Sequence, residues 1–324
     1  MLLRTLLLLT AVSASADPVY LVLLKGASAL GYYSRDGKLL ASVPVGQHPH
    51  EMAFSPDRKL LYITDNGTMR MEHPGSGGNT VSIVDVAAKR RIGTIDLGKY
   101  RRPHGIDVDQ KTGQIVVSTE APDQLLLLDP VKRRVIRTFD NKGRQPHMVT
   151  LGPGGKWAYV SNTEPGHVAA INLDSGELKT IQTEARPQGS VLSKDGRELY
   201  VTNSGAASIA VIDTAKNQAI AHIPTGKGPN RIALTPDGSM LVYAISGENK
   251  VGFADPKIRT QLDYILLPNR PVSCTLSRDG SLAFLSAEAQ DTVYIVSVKD
   301  RKITAEIRTA KGAAPDPVLE AIIP

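Results

Sequence analysis

The sequence of 324 residues is poor in cysteine and in large aromatic residues, with one Cys, four Phe and one Trp. A lone cysteine, Cys274, cannot form an internal disulfide, and no Cys pair has metal-ligand spacing. A disulfide framework and a thiolate zinc site are therefore excluded. Few Phe and Trp side chains are present for stacking on bases, which disfavours nucleic-acid binding. The formal net charge of +6 is spread along the chain, so it permits an acidic partner without requiring one.

Long hydrophobic runs are also missing. The longest apolar stretch lies in residues 1–16, where Arg4 precedes a leucine-rich run that ends in Ala14-Ser15-Ala16. This pattern predicts a cleaved signal peptide over 1–16, with the mature chain starting at Asp17. No later stretch reaches the roughly 18 apolar residues of a membrane span. We therefore expect a periplasmic or secreted protein without a transmembrane segment.

A repeat runs through the rest of the chain. Each copy starts with a proline that leads into an alternating apolar segment, and successive prolines are 41 to 54 residues apart. The repeated prolines are Pro49, Pro103, Pro146, Pro187, Pro229, Pro271 and Pro315. A period of about 40 to 45 residues built only from strand patterns is typical of a β-propeller with four strands per blade.

Within each copy, turns such as Pro236-Asp237-Gly238 separate the first strand from a second one. The second strand carries Tyr200-Val201-Thr202-Asn203 in one copy and the variants Tyr62-Ile63-Thr64-Asp65 and Tyr159-Val160-Ser161-Asn162 in others. With the Pro-led strand, these motifs resemble those of YVTN-repeat β-propellers over essentially all of the expected mature chain. The resemblance implies an all-β, seven-bladed fold. It does not single out a function, because similar propellers include surface-layer proteins, lactonase-like enzymes, cytochrome-d1-like reductase domains and periplasmic binding modules.

The two ends of the repeat region complement each other. Residues 19–46 supply three strands of a blade, and Val318–Ile323 supplies a fourth. We therefore predict a single domain over 17–324, a seven-bladed propeller of four-stranded antiparallel blades whose C-terminal strand joins the N-terminal blade.

Residues that follow the repeated prolines should surround one mouth of the axial channel. They read His50, His104, His147, Gln188, Asn230, Val272 and Asp316. Three imidazoles at equivalent positions can hold a divalent metal ion, or each can bond to a neighbouring blade. The same mouth should receive Glu120 and Glu164, which are the candidate catalytic acid or base residues.

The first copy contains an insert with Met69-Arg70-Met71-Glu72-His73. Thioether and imidazole ligands at this spacing suit a copper ion. The alternative is a lid with glycine hinges.

Arginines recur beside the expected mouth. Together with the polar residues of the ring, they form the candidate binding set for an anion: Arg102, Arg186, Gln188, Asn230, Arg231 and Arg270.

Three functions remain open at this point. The first is an exported, monomeric, non-catalytic module that binds a small anionic ligand or another exported protein at the mouth. The second is a metal-dependent lyase or lactonase-like hydrolase that uses the three histidines. The third is a surface or assembly module, in which the polar mouth has no role.

Overall fold

The computed structural model describes residues 17–323, which form 28 strands and two short 3-10 helices over Pro153–Gly155 and Glu288–Gln290. The signal peptide expected over 1–16 lies outside the described residues. The strands of the first half are β1 (Pro18–Leu24), β2 (Ala29–Tyr33), β3 (Leu39–Pro44), β4 (Pro49–Phe54), β5 (Leu60–Asp65), β6 (Thr80–Asp85), β7 (Arg90–Asp96), β8 (Arg101–Val108), β9 (Ile115–Ala121), β10 (Asp123–Asp129), β11 (Arg134–Asp140), β12 (Arg144–Leu151), β13 (Trp157–Glu164), β14 (His167–Asn172) and β15 (Leu178–Gln182). Those of the second half are β16 (Pro187–Leu192), β17 (Glu198–Asn203), β18 (Ser208–Asp213), β19 (Gln218–Pro224), β20 (Pro229–Leu234), β21 (Leu241–Ile245), β22 (Lys250–Asp255), β23 (Thr260–Leu266), β24 (Thr275–Leu276), β25 (Leu282–Ala287), β26 (Thr292–Ser297), β27 (Lys302–Arg308) and β28 (Pro315–Ile322).

The strands form seven four-stranded antiparallel sheets, and six of these use consecutive strands. The inner strands β4, β8, β12, β16, β20, β24 and β28 each contact the next and return to β4, so they surround the central channel. This arrangement confirms the predicted seven-bladed propeller.

The seventh sheet has the order β28-β1-β2-β3. Strand β28 pairs antiparallel with β1, with Pro18 opposite Ile322 and Leu24 opposite Pro315. The predicted closure is confirmed, and this sheet joins the two ends of the described chain without leaving an open edge on β1.

The hydrophobic core lies between neighbouring sheets. One cluster, for example, combines Leu21 and Leu30 of the closing sheet with Met52, Leu61 and Val84 of the next one. Middle strands such as β2 are buried along their whole length, whereas the outermost strand β23 alternates between exposed and half-buried residues. This difference follows from the strand period of two, because an outermost strand turns one face to solvent.

The turns predicted between first and second strands form tight loops. Gly238 adopts a φ of 78°, and Asp237 accepts a hydrogen bond from the Thr235 hydroxyl at 2.6 Å. Glycine adopts positive φ without steric cost, which explains why it recurs in these turns.

None of the helices within residues 17–323 has the length and apolar character needed to cross a membrane.

Candidate functional site

A repeated irregularity places the residues that follow each proline at the channel mouth. The pairing of inner and second strands shifts register just after the proline in five sheets, for example between Pro49 and Met52 and between Pro229 and Ile232. Such a bulge bends the strand and redirects its side chains. His50, His104, His147, Gln188 and Asn230 occupy these bulges.

The Thr or Ser of the second-strand motif holds this backbone in place. The Thr64 hydroxyl accepts a hydrogen bond from the Glu51 amide at 3.0 Å and donates to the carbonyl of His104 in the next blade at 2.7 Å. Ser118 contacts Gly105 and His147 in the same way, at 2.9 and 2.7 Å. The motif hydroxyl therefore links neighbouring blades directly beneath the mouth. The repeated Thr or Ser could be recognised in the sequence, but its role in linking blades was not predicted.

The three predicted histidines come together. The ring centroids of His50 and His104 are 4.7 Å apart, those of His104 and His147 are 4.3 Å apart, and each side chain is buried. The Nε2 of His50 lies 2.7 Å from the Thr68 carbonyl, and the Nδ1 of His104 lies 2.7 Å from a Glu120 carboxylate oxygen. The Nη1 of Arg231 is 3.2 Å from both ring nitrogens of His147.

Burial and neighbouring cations keep two of these rings neutral. Burial, together with Lys25 and His104, lowers the pKa of His50 well below its ordinary range. Burial and the Arg231 guanidinium do the same to the pKa of His147. Both effects disfavour the charged imidazolium.

Residues 17–323 contain no group of three or more His, Cys, Asp or Glu side chains arranged to hold a metal ion. The metal role of His50, His104 and His147 therefore stays a prediction, although the structure does bring the three rings together.

An ion pair crosses the channel below the histidines. The Arg231 guanidinium on β20 contacts the Glu51 carboxylate on β4, with Nε at 3.0 Å from Oε1. Both side chains are buried. Burial raises the pKa of the Glu51 carboxyl, although the adjacent Arg231 opposes this shift.

A second buried group of charges lies at the edge of the mouth. The Lys25 ammonium is 2.5 Å from the Asp316 carboxylate and 3.7 Å from that of Glu288. Burial alone would lower the pKa of Lys25, but the two carboxylates outweigh this effect and raise it. Lys25 is thus charged and already paired with these two carboxylates.

Above these groups lies a cavity of about 670 Å³ that opens at the mouth. Of the residues predicted to bind a ligand or metal, those that line it are His50, His104, His147, Arg186, Gln188, Asn230, Arg231 and Arg270. The insert also lines the cavity through Met69–His73, as a lid or a copper ligand set would require.

Three of the cavity arginines have no side-chain partner within residues 17–323. Among the described residues, the side chains of Arg70, Arg186 and Arg270 form neither hydrogen bonds nor ion pairs, and all three are exposed at the mouth. They come from blades distributed around the ring, with Arg70 in the insert, Arg186 immediately before β16 and Arg270 in the segment between β23 and β24. Arg70 was not in the predicted binding set, because the insert does not follow the repeat.

Arg102, which was predicted to bind a ligand, is placed differently. It does not line the cavity, and its guanidinium donates to the carbonyls of Met71 at 2.6 Å and of His73 at 3.2 Å. Its Nε lies 2.9 Å from the Glu120 carboxylate. Arg102 therefore fastens the insert over the mouth and is not free to meet an anion.

The two candidate catalytic carboxylates lie in different places. Glu120 is buried behind His104 and shared between that ring and Arg102. Glu164 does not line the cavity and pairs with the exposed Arg144 at 2.8 Å. The structure brings Glu120, but not Glu164, to the histidines.

No protein-family model matches the chain, so membership of the YVTN family stays a prediction. Antigen Lp49 of Leptospira interrogans serogroup Icterohaemorrhagiae serovar copenhageni is 26% identical over 231 residues, which cover 64% of this chain and 50% of the antigen. The uncharacterized protein YncE of Salmonella typhimurium is 20% identical over 202 residues, covering 61% of this chain and 54% of YncE. The chain thus spans about half the length of the curated relatives it matches.

Three solved structures share the fold at low sequence identity. Kuenenia stuttgartiensis hydrazine synthase aligns over 89% of this chain and 98% of its own chain, with a TM-score of 0.72 and 18% identity. A functionally unknown protein from Desulfotomaculum acetoxidans aligns over 94% and 98%, with a TM-score of 0.77 and 16% identity. The dihydro-heme d1 dehydrogenase NirN in complex with DHE aligns over 96% and 77%, with a TM-score of 0.68 and 15% identity. Propellers of this shape therefore include enzymes and a protein of unknown function.

Proposed function

We propose that the protein binds a small anionic ligand in the mouth cavity and does not transform it. The supporting observation is the charge arrangement. The guanidinium groups of Arg70, Arg186 and Arg270 lack protein partners among residues 17–323, whereas the buried carboxylates nearby already pair with cations. Unpaired guanidinium groups distributed around one cavity attract carboxylate or phosphate and can bind it bidentately.

We also propose that the protein is exported and monomeric. The pattern of residues 1–16 supports export to the periplasm or the medium, where the protein acts as a single domain and as a monomer. Another exported protein that presents an acidic side chain to the mouth is the second kind of partner.

A calorimetric titration series tests anion binding. The ligands are phosphate, succinate, citrate, gluconate and a carboxylate-bearing haem, the last because one structural neighbour was solved in complex with DHE. The double variant Arg186→Gln/Arg270→Gln should lose at least about a hundredfold in affinity for the ligand that binds, since charge-assisted contacts contribute about 1.5–3 kcal/mol each and two are removed.

The matched control is Arg197→Gln. This arginine is exposed in the turn before β17 and lies away from the mouth cavity, and among the described residues its side chain pairs only with Asp195. Affinity should be unchanged in the control. No binding to any anion, or equal losses in the control and the double variant, would contradict the proposal.

A metal-dependent enzyme is the second candidate, and one observation favours it. The Nε2 of His104 is buried and has no hydrogen-bond partner within the described part of the chain. Its Nδ1 bonds to a carboxylate, and His50 bonds to a backbone carbonyl. Histidines that ligate metals are commonly oriented by such contacts. In this alternative, the three histidines would hold a divalent or copper ion, and Glu120 would orient His104.

Metal content measured by mass spectrometry separates the two candidates. Stoichiometric metal in the wild type that is lost in a His50→Ala/His104→Ala/His147→Ala variant would favour the enzyme. A wild type that stays metal-free after exposure to Cu, Zn, Fe, Ni and Mg would leave anion binding as the better account.

A further inference from the structure

The turns between third and fourth strands lie on the face of the propeller opposite to the mouth. Inner strands begin at the mouth, and strand direction alternates within each antiparallel sheet. Third strands therefore begin at the mouth as well and end at the opposite face, where a turn leads into the fourth strand. Two such turns, after β6 and after β10, belong to neighbouring blades, and we call residues 85–91 and 129–134 the basic corners.

The basic corners carry six exposed cations. These are Lys89, Arg90, Arg91, Lys132, Arg133 and Arg134. The acids of the two corners are Asp85 and Asp129, and each accepts hydrogen bonds from backbone amides of its own turn. Within residues 17–323, only Lys132 among the six cations has an acidic partner, Asp129 at 3.8 Å. Strands β7 and β11, which follow the two turns, contact each other, so the corners form one continuous surface.

Cations at the same turn position in other blades are neutralised by the blade before them. Arg301 and Arg259 each stand four residues after a third strand, with φ values of 51° and 56°. Arg301 pairs with Asp263 on the outermost strand of the preceding blade at 2.9 Å. Arg259 pairs with Glu198 on the second strand of its preceding blade at 2.8 Å. A cation at this position is therefore normally matched by an acid from the neighbouring sheet.

The basic corners lack these acids. Arg133 has the same turn position and a φ of 51°. By strand register, Gly93 and Leu60 of the preceding blade stand where the two acids would be, and the guanidinium lies so close to Gly93 that a Cβ atom would not fit. Lys89 holds this position in the other corner, and its ammonium lies 6.0 Å from the centre of the Tyr32 ring. The charge of the corners is thus left for a partner outside the chain.

An apolar side chain lies at the tip of one corner. Val131 is 89% exposed, more than any other large hydrophobic side chain that the structure describes, and Lys132 follows it directly. The tip of the other corner carries the exposed Ala87 and Ala88. Apolar groups beside cations favour the boundary of an anionic bilayer, where burial of apolar area and attraction to acidic lipids act together. The corners contain no Phe, Tyr or Trp, so nothing in them can stack on nucleic-acid bases.

We propose that the basic corners bind the surface of an anionic phospholipid bilayer. The acidic headgroups contact the unpaired cations, and Val131 enters the headgroup region. Because the corners project from the face opposite to the mouth, the bound protein keeps its cavity open to solvent. This surface is separate from the mouth, so either proposal can fail without the other.

Flotation with lipid vesicles tests the proposal. We expect the protein to bind phosphatidylcholine vesicles that contain phosphatidylglycerol and not those of phosphatidylcholine alone. Binding should weaken as salt rises from about 0.05 M to about 0.5 M, since salt screens exposed charges. The corner variant replaces four cations by glutamine: Arg90, Arg91, Arg133 and Arg134. It should lose at least about a hundredfold in binding, because each basic residue near an anionic surface contributes about fivefold.

A control variant removes the same charge from the same face. It replaces four exposed cations in turns of other blades by glutamine: Lys194, Arg197, Lys257 and Lys299. Its binding should stay within about twofold of the wild type, since these side chains lie away from the corners. Gly93→Asp removes no cation but gives Arg133 the acid that Arg301 has, so it should weaken binding about fivefold. Thermal melting verifies that each variant is folded.

Three results would overturn the proposal. The first is a lack of binding to phosphatidylglycerol vesicles at low salt, or equal binding to vesicles without it. The second is an equal loss in the corner and control variants, which would assign any binding to net charge alone. The third is binding to duplex DNA at a salt concentration that abolishes vesicle binding, with loss in the corner variant, which would make the corners a nucleic-acid surface.

Discussion

Glu51 and Arg231 form an ion pair across the channel. We predict that replacing Glu51 and replacing Arg231 lower the free energy of unfolding by different amounts. The two side chains come from strands 180 residues apart, and both are buried. Replacing Glu51 leaves a guanidinium that cannot lose its proton. Replacing Arg231 leaves a carboxyl that can take one up. The cost of the second change should therefore depend on pH, and that of the first should not.

The magnitudes follow from the protonation of Glu51. Glu51→Leu should lower the free energy of unfolding by about 3–5 kcal/mol at any pH between 5 and 7, as for other broken buried pairs. In Arg231→Met, the charge penalty cannot exceed the cost of protonating Glu51. From its ordinary pKa of 4.5, that cost is about 3.4 kcal/mol at pH 7 and about 0.8 kcal/mol at pH 5.

The direction of this pH dependence follows from the raised pKa of the Glu51 carboxyl. A carboxyl whose pKa is raised by folding stabilises the native state fully below its unfolded pKa, and this contribution is lost as pH rises through the folded value. Without Arg231, the pKa of Glu51 in the folded protein rises further. The Arg231→Met variant should therefore become more stable relative to wild type as pH falls from 7 to 5.

Urea denaturation at pH 5 and pH 7 measures these differences, with Glu51→Leu/Arg231→Met completing a double-mutant cycle. The double variant should be more stable than Glu51→Leu alone, because it leaves no unpaired buried charge. Additive losses, or a cost of Arg231→Met that is the same at both pH values, would refute the reasoning.

Three further predictions concern other contacts. Removing residues 315–324 deletes β28, so the truncated chain should lose the cooperative thermal transition of the intact protein; an unchanged melting temperature would show that closure does not stabilise the ring. Arg102→Ala should speed hydrogen exchange of the Met71 and His73 amides by about tenfold or more, since the insert loses its anchor, whereas Arg101→Ala, which loses one 3.3 Å contact to Gly77, should leave them unchanged. Burial raises the pKa of Asp65 to about 6, so its protonation should add about 1.3 kcal/mol to the free energy of unfolding between pH 7 and pH 5, and Asp65→Asn should lack that increment in denaturation at the two pH values.

The fold could be predicted from the sequence because it is built from a repeat. Regular proline spacing, turn glycines and alternating strands each depend on neighbours within one copy, so the seven sheets, the ring closure and the mouth position of His50, His104 and His147 could all be predicted. The insert could be located at the mouth because it interrupts that regularity.

The contacts that define the cavity chemistry could not be predicted in the same way. Arg231 reaches Glu51 across the channel, and Arg102 turns to the insert although it occupies the same repeat position as Arg186. Equivalent positions thus carry different roles, because each role depends on side-chain direction and on partners from distant copies. The hydrogen-bond partners of His50 and His104, the Thr68 carbonyl and the Glu120 carboxylate, likewise depend on single contacts that no spacing reveals.

The pairing of β1 with β28 has a consequence for folding kinetics. About 290 residues separate the two strands, so their contacts are among the most non-local that the chain can make. On a growing chain, β1 remains without its partner until nearly all the rest has been synthesised, and closure of so long a loop carries an entropic cost. The ring should therefore close as a late, slow step, after the intermediate sheets have formed.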